Sequence, residues 1–187
     1  MYKVSDKLLT LDDIKSAEEV VRESKLKVRQ TPCIQVRGGD GSQTCSLFSD
    51  IEEFNPDNWP EIWIKCENLQ NTGSFKIRGV ASQFDAFTKS QGVGGDENPG
   101  LVTMSAGNYG RSFGYATKEL GLSGTVLMPD TAPDNREGIL RGFGVQVERM
   151  PSKDLREGVK KHEDQGRMFL HPFDDINLIA GHASLGE

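Results

Sequence analysis

Two features of the sequence predict an α/β fold built from parallel sheets with flanking helices. From residue 101 onward, short apolar runs alternate with stretches whose apolar residues recur at helical spacing. Each strand-like run leads through a short loop into a helix, the order expected of βαβ units. Crossovers in such units are right-handed, and ligands gather at the carboxyl ends of the strands.

Ile14, Ala17, Val20 and Val21 share one face of a helix over residues 10–26, with Thr10 and Asp13 placed to form a capping box. Thr31-Pro32 ends it and leads to the strand "CIQV". Residues 38–61 are rich in turn-formers and read as a surface excursion. "IWIKCE" is the next strand, and a helix is expected after Gly79, to about Lys89. A glycine-rich loop follows, including the glycines at 92–95, and a domain boundary is placed beside it. Beyond it come strand "LVTMS", helix "RSFGYATKEL", strand "GTVLMP", helix "DNREGILRGFG", strand "VQVERM", a helix opened by Ser152, and strand "MFLHP".

At 187 residues the chain can bury a core without disulfides. Cys33, Cys45 and Cys66 form no C-x-x-C pair, so neither structural zinc nor a disulfide framework is expected, and a reducing compartment fits. The 22 basic and 28 acidic residues give a net charge of −6, which argues against a nucleic-acid or anionic-membrane surface. With no apolar leader or spanning run visible, cytoplasmic is the default expectation. His162, His171 and His182 lack metal-site spacing; His162 is expected to pack on a helix, and Trp59 and Trp63 to anchor core or loop.

Two stretches point to chemistry. "SAGNYGRS", Ser105 to Ser112, follows a strand and opens a helix, so backbone N–H groups and the positive helix end face the ligand crevice. A βα loop needs glycine for tight turning in any case, and these glycines make neither G-x-G-x-x-G nor a P-loop. In "ENLQNTGSFKIRG", Lys76 follows a Gly-Ser-Phe turn at the start of a helix. A lysine is usually solvated, but the field at a helix start disfavours its ammonium form. In a dry site the free amine becomes a nucleophile toward an aldehyde.

Glu67 to Gly79 closely resembles the lysine motif of the fold-type-II pyridoxal-phosphate enzymes, in the serine/threonine dehydratase and serine racemase group. "DDIKSAEEVV", "RQTP", "SAGNYG", "MPDTAP" and "HPFDDINLIAGHASLGE" resemble further family segments in the family's order, so the likeness extends beyond the lysine motif. The sulfhydrylase branch differs around its lysine. The resemblance implies two subdomains, the larger incomplete: residues 1–98 as the start of the cofactor domain, 99–172 as the small α/β domain, and 173–187 as the return.

It implies pyridoxal 5'-phosphate as cofactor and a small amino acid as substrate, with no metal site in this stretch. Lys76 would hold the cofactor aldehyde and then act as base, Asn108 would bond the cofactor's phenolic oxygen, and Phe75 would pack beside it. Ser105, Gly107 and Asn108 would receive the substrate carboxylate, with Ser105 counted among the catalytic residues. Ala106 stands where the racemases carry a serine that donates a proton, so dehydration of serine or threonine is favoured over racemisation. Tyr109 and Arg111 stand where many members have His and Gln. The family's phosphate-binding glycine loop is not found in the sequence, so the chain is expected to be a truncated form. Two alternatives remain: an inactive half-enzyme that pairs with a full-length relative, or a nucleotide-binding α/β domain. A homodimer is the other pairing considered.

Overall fold

The computed structural model describes residues 8–36, 62–91 and 99–186. Trp59, Cys45, the 38–61 excursion and the glycines at 92–95 lie outside them. The elements are α1 (Leu11–Glu23), β1 (Cys33–Val36), β2 (Ile62–Lys65), α2 (Lys76–Gln91), β3 (Leu101–Met104) and α3 (Asn108–Leu120). There follow β4 (Gly124–Pro129), α4 (Asp134–Arg141), β5 (Gln146–Met150), α5 (Leu155–Asp164), β6 (Met168–Phe169) and α6 (Ile176–Ala183).

The capping box is present: Asp13 N–H donates to Thr10 Oγ1 at 3.2 Å, and Thr10 N–H donates to Asp13 Oδ2 at 2.9 Å. Several expectations are corrected. The helix carrying Lys76 begins at Lys76 itself, not beyond Gly79. Ser152 caps nothing; residues Ser152–Asp154 form one 3₁₀ turn before α5. Trp63 anchors no core, being 54% exposed on β2. The β1 and β2 strands pair antiparallel in a separate two-stranded ribbon, outside any parallel sheet. Helix α6 lies in a stretch recognised only as a family segment.

The main sheet is parallel, in the order β5-β4-β3-β6. Chain order runs outward from β3 through β4 to β5, then returns to β3's other side with β6. The loop after β3 therefore sits where strand order reverses, the place where open parallel sheets leave a crevice.

Period-two alternation explains why β3 and β4 carry apolar residues toward both faces. Leu101, Val126 and Met128 face the larger core, which α2 and α3 cover with Ile77, Val80, Phe84, Phe113 and Ala116. Val102 and Leu127 face the opposite side and meet Val159 of α5. Both faces of β3 and β4 are buried, as the interior of a parallel sheet requires. Phe84 and Phe113 meet edge to face at 5.6 Å, joining α2 to α3.

Candidate functional site

The lysine turn is held by a buried polar network drawn from the motif itself. Glu67 accepts two bonds from Arg78, Nε and Nη2, each at 2.9 Å. It also accepts from the Thr31 hydroxyl at 2.6 Å and from Gln70 Nε2 at 3.1 Å. Gln70 is tied in turn to the Arg29 backbone in both directions, at 2.9 and 2.8 Å. Burial pushes the Glu67 carboxyl upward, but bonds from Arg78 and Thr31 outweigh it and hold the group below the usual carboxylate range. A bidentate guanidinium pair fixes orientation as well as charge. The network thus clamps the chain on both sides of the turn. Within that turn Gly73 adopts φ +72°, a left-handed conformation natural to glycine.

Lys76 is the first residue of α2, with its backbone N–H 3.4 Å from Ser74 Oγ. Its side chain is half-buried, and burial lowers its pKa from the ordinary lysine value of 10.5. Nζ lies 5.2 Å from the Phe75 ring centroid, and no carboxylate pairs with it among the described residues.

His182 of α6 closes one side. Its ring meets Phe75 edge-on at 5.0 Å, and a Cβ on Gly79 would collide with its Nε2. On the other helix, a Cβ on Gly181 would sit 2.8 Å from Gly79 Cα. Two glycines therefore let α6 lie directly on the first turn of α2. Burial, and secondarily the charge of Lys76, lower the His182 pKa to about 4, so the ring is neutral at neutral pH. Its Nε2 is buried and without a partner among the described residues.

Ser105 directly follows β3. Its Oγ accepts from Gly107 N–H at 3.2 Å and from Gly110 N–H at 3.0 Å, folding the loop into the start of α3. The loop thus takes up the Gly107 N–H that was expected to meet a carboxylate. The Ser105 hydroxyl proton is left to donate. Asn108 is exposed at the first position of α3, and its side chain has no hydrogen bond among the described residues.

Buried contacts join the two loops' elements. Ser112 donates to Thr72 Oγ1 at 3.0 Å, and the Tyr109 hydroxyl donates to Gln83 Oε1 at 2.6 Å. Tyr109 is therefore turned into the core. Lys76, Phe75 and the Ser105–Asn108 loop all occupy loop-to-helix junctions on tied elements, α2 and α3. Sequence reasoning missed the Glu67–Arg78 clamp and the approach of His182. The first had a signal in the polar residues of "ENLQNTGSFKIRG"; the second had none, because Lys76 and His182 are distant in the chain. His162 packs as expected, buried and 3.3 Å from a Glu148 oxygen.

A profile of the family described as pyridoxal-phosphate dependent enzyme matches residues 26–187. The chain belongs to that family. It is 29% identical over 183 residues to the catabolic L-threonine dehydratase TdcB of Staphylococcus aureus, covering 96% of this chain and 46% of that protein. It is 35% identical over 128 residues to the L-threonine ammonia-lyase of Geobacter sulfurreducens, covering 67% and 31%. The crystal structure of serine racemase from Dictyostelium discoideum superposes with TM-score 0.68 at 30% identity, covering 95% of this chain and 52% of that one. The chain spans about half the length of the curated relatives it matches.

Pyridoxal-phosphate enzymes need an amine that can meet an aldehyde, and this structure holds one that fits. Lys76 is unpaired among the described residues, partly desolvated and fixed at the start of a helix. Asn108 adds an uncommitted amide at the start of α3. For the membrane, no helix among the described residues is long and apolar enough to cross one.

Proposed function

We propose that this chain carries the lysine turn and the carboxylate-binding loop of a lyase that converts L-serine or L-threonine to a 2-oxo acid and ammonia. The observation that carries this reading is Lys76, a half-buried amine with a lowered pKa and no acidic partner among the described residues, clamped by the Glu67–Arg78 pair. Bound pyridoxal phosphate supplies an electron sink that acidifies the substrate Cα–H. Lys76 Nζ would hold the cofactor aldehyde and, as a free amine, would accept the Cα proton. Phe75 would flank the cofactor ring, and Asn108 would orient it through its side-chain amide. Ser105 and Asn108 would receive the substrate carboxylate at the positive end of α3, and the Gly107 N–H would join them by giving up its bond to Ser105 Oγ.

The Cα–H and Cβ–OH bonds break and water departs. The unsaturated amine then takes up water and releases ammonia. Ala106 favours this outcome, because racemisation needs a proton donor opposite the lysine and a methyl group has none. The division into a cofactor part up to residue 98 and a small domain from 99 to 172 belongs to the same proposal. So do a cytoplasmic setting and pairing with a second copy or a full-length relative.

The test is borohydride reduction of the purified chain with pyridoxal phosphate, followed by peptide mapping. One label per chain on Lys76, absent from Lys76→Ala and gained at a lower pH than on exposed lysines, is the expected result. Weak label spread over surface lysines would overturn the proposal, and D-serine forming faster than pyruvate would overturn elimination in particular.

A further inference from the structure

Phe75 lies beside the lysine amine with little to hold it. It is 37% exposed, and Lys76 Nζ is 5.2 Å from its ring centroid. Its one ring-to-ring contact among the described residues is with His182, edge to face at 5.0 Å. His182 itself is firmly seated. Asp175 caps α6, accepting from Leu178 N–H at 2.9 Å, and the Ser184 hydroxyl donates to the Gly181 carbonyl at 2.7 Å. The glycines at 79 and 181 then set the imidazole against the first turn of α2.

The buried Nε2 has no hydrogen-bond partner among the described residues, so on that side packing sets the place of the ring. An unpartnered polar atom in a buried contact costs stability, and here the cost falls beside the amine that the proposed chemistry requires. Lys76 is the charge felt at the ring. Arg78 of the same turn is committed to Glu67. Asp13 of α1 and Asp85 of α2 line a separate cleft, with Ile176, Asn177 and Ala180 of α6. A neutral imidazole therefore spares this corner a second positive charge.

We propose that His182 is a positioning residue for Lys76: its ring holds Phe75 beside the amine and closes the first turn of α2 to water. The proposal deepens the functional reading above and rests on it for the task that the amine performs. His182 touches neither cofactor nor substrate in this scheme. It acts through Phe75, whose ring is free to turn to another rotamer once the imidazole edge is gone. Water then reaches Nζ, and desolvation no longer favours the free amine.

The experiment is acetylation of the purified chain with acetic anhydride at a series of pH values, without cofactor, scored by peptide mass spectrometry at Lys76 and at the exposed Lys118. In His182→Ala the ratio of Lys76 labelling at pH 8 to labelling at pH 10.5 should fall about threefold, toward the ratio at Lys118. His182→Gln, which fills the space but offers no ring, should move it in the same direction. In a Phe75→Ala background, His182→Ala should change the ratio no further, because the group through which it acts is missing. A lower urea midpoint with an unchanged ratio in both single variants makes His182 a packing residue only and overturns the proposal. So does an equal fall in the Phe75→Ala background. Borohydride labelling with pyridoxal phosphate judges the lyase reading separately. A ratio that falls in a chain taking no cofactor label refutes that reading alone, and a labelled chain whose ratio stays put refutes only the positioning.

Discussion

Acid should destabilise this fold through one imidazole. His182 titrates near 4 in the folded chain against an ordinary 6.5, because α6 lays the ring on Gly79 and beside Lys76. A base whose folded pKa is depressed contributes stability that is fully present above its unfolded pKa. That stability is lost as pH falls from 6.5 toward 4, since only the unfolded chain takes up the proton there. At about 1.4 kcal/mol per pH unit, the interval corresponds to at most about 3 kcal/mol. Partial solvent access reduces the figure.

Urea unfolding at pH 7.0, 5.5 and 4.5 measures the effect, with His182→Gln as the comparison. The difference in stability between parent and variant isolates His182 from Glu67 and His171, whose own shifts are common to both chains. The parent should lose about 2 kcal/mol more than His182→Gln between pH 7.0 and 4.5. Lys76→Met should shrink that difference, because the lysine charge is the second cause of the shift. Parallel pH dependences for parent and His182→Gln would falsify the reasoning, showing that the ring is hydrated in solution.

Two further outcomes follow from the same geometry. Glu67→Ala strands the Arg78 guanidinium, whose side chain is 10% exposed, and should cost about 3–5 kcal/mol, read as a lower urea midpoint at pH 7. A neutral effect would mean that the pair is solvated. Gly181→Ala places a methyl 2.7 Å from the Arg78 carbonyl, so α6 must move off α2. The expected cost is about 1–3 kcal/mol, with Lys76 labelling shifted to higher pH as its cover opens. An unchanged labelling profile would show that α6 does not set the environment of Lys76.

Much of this protein was readable from local pattern. Strands buried on both faces are mostly apolar, so "LVTMS" and "GTVLMP" declare themselves, and Thr10 and Asp13 announce the start of α1 within four residues. "ENLQNTGSFKIRG" singled out Lys76 as the candidate amine because its residues are neighbours in the chain and their order is specific. Boundaries were less visible. Ser152 has the chemistry of a cap, yet the preceding strand delivers it into a 3₁₀ turn, and Trp63 has the size of a core residue on a two-stranded ribbon that leaves it exposed.

The environment of the site was decided by tertiary structure alone. Thr31 reaches Glu67, Tyr109 reaches Gln83, and Arg111 comes to lie over Gly73, each across a span whose intervening chain carries no trace of the meeting. His182 reads as an ordinary histidine until Gly79 and Gly181 bring two helices into contact. A pKa depends on which groups exclude water and which charges stand nearby, and those are properties of distance in space. The sequence by itself therefore singled out the candidate amine, and packing decided how dry, how charged and how firmly held that amine is.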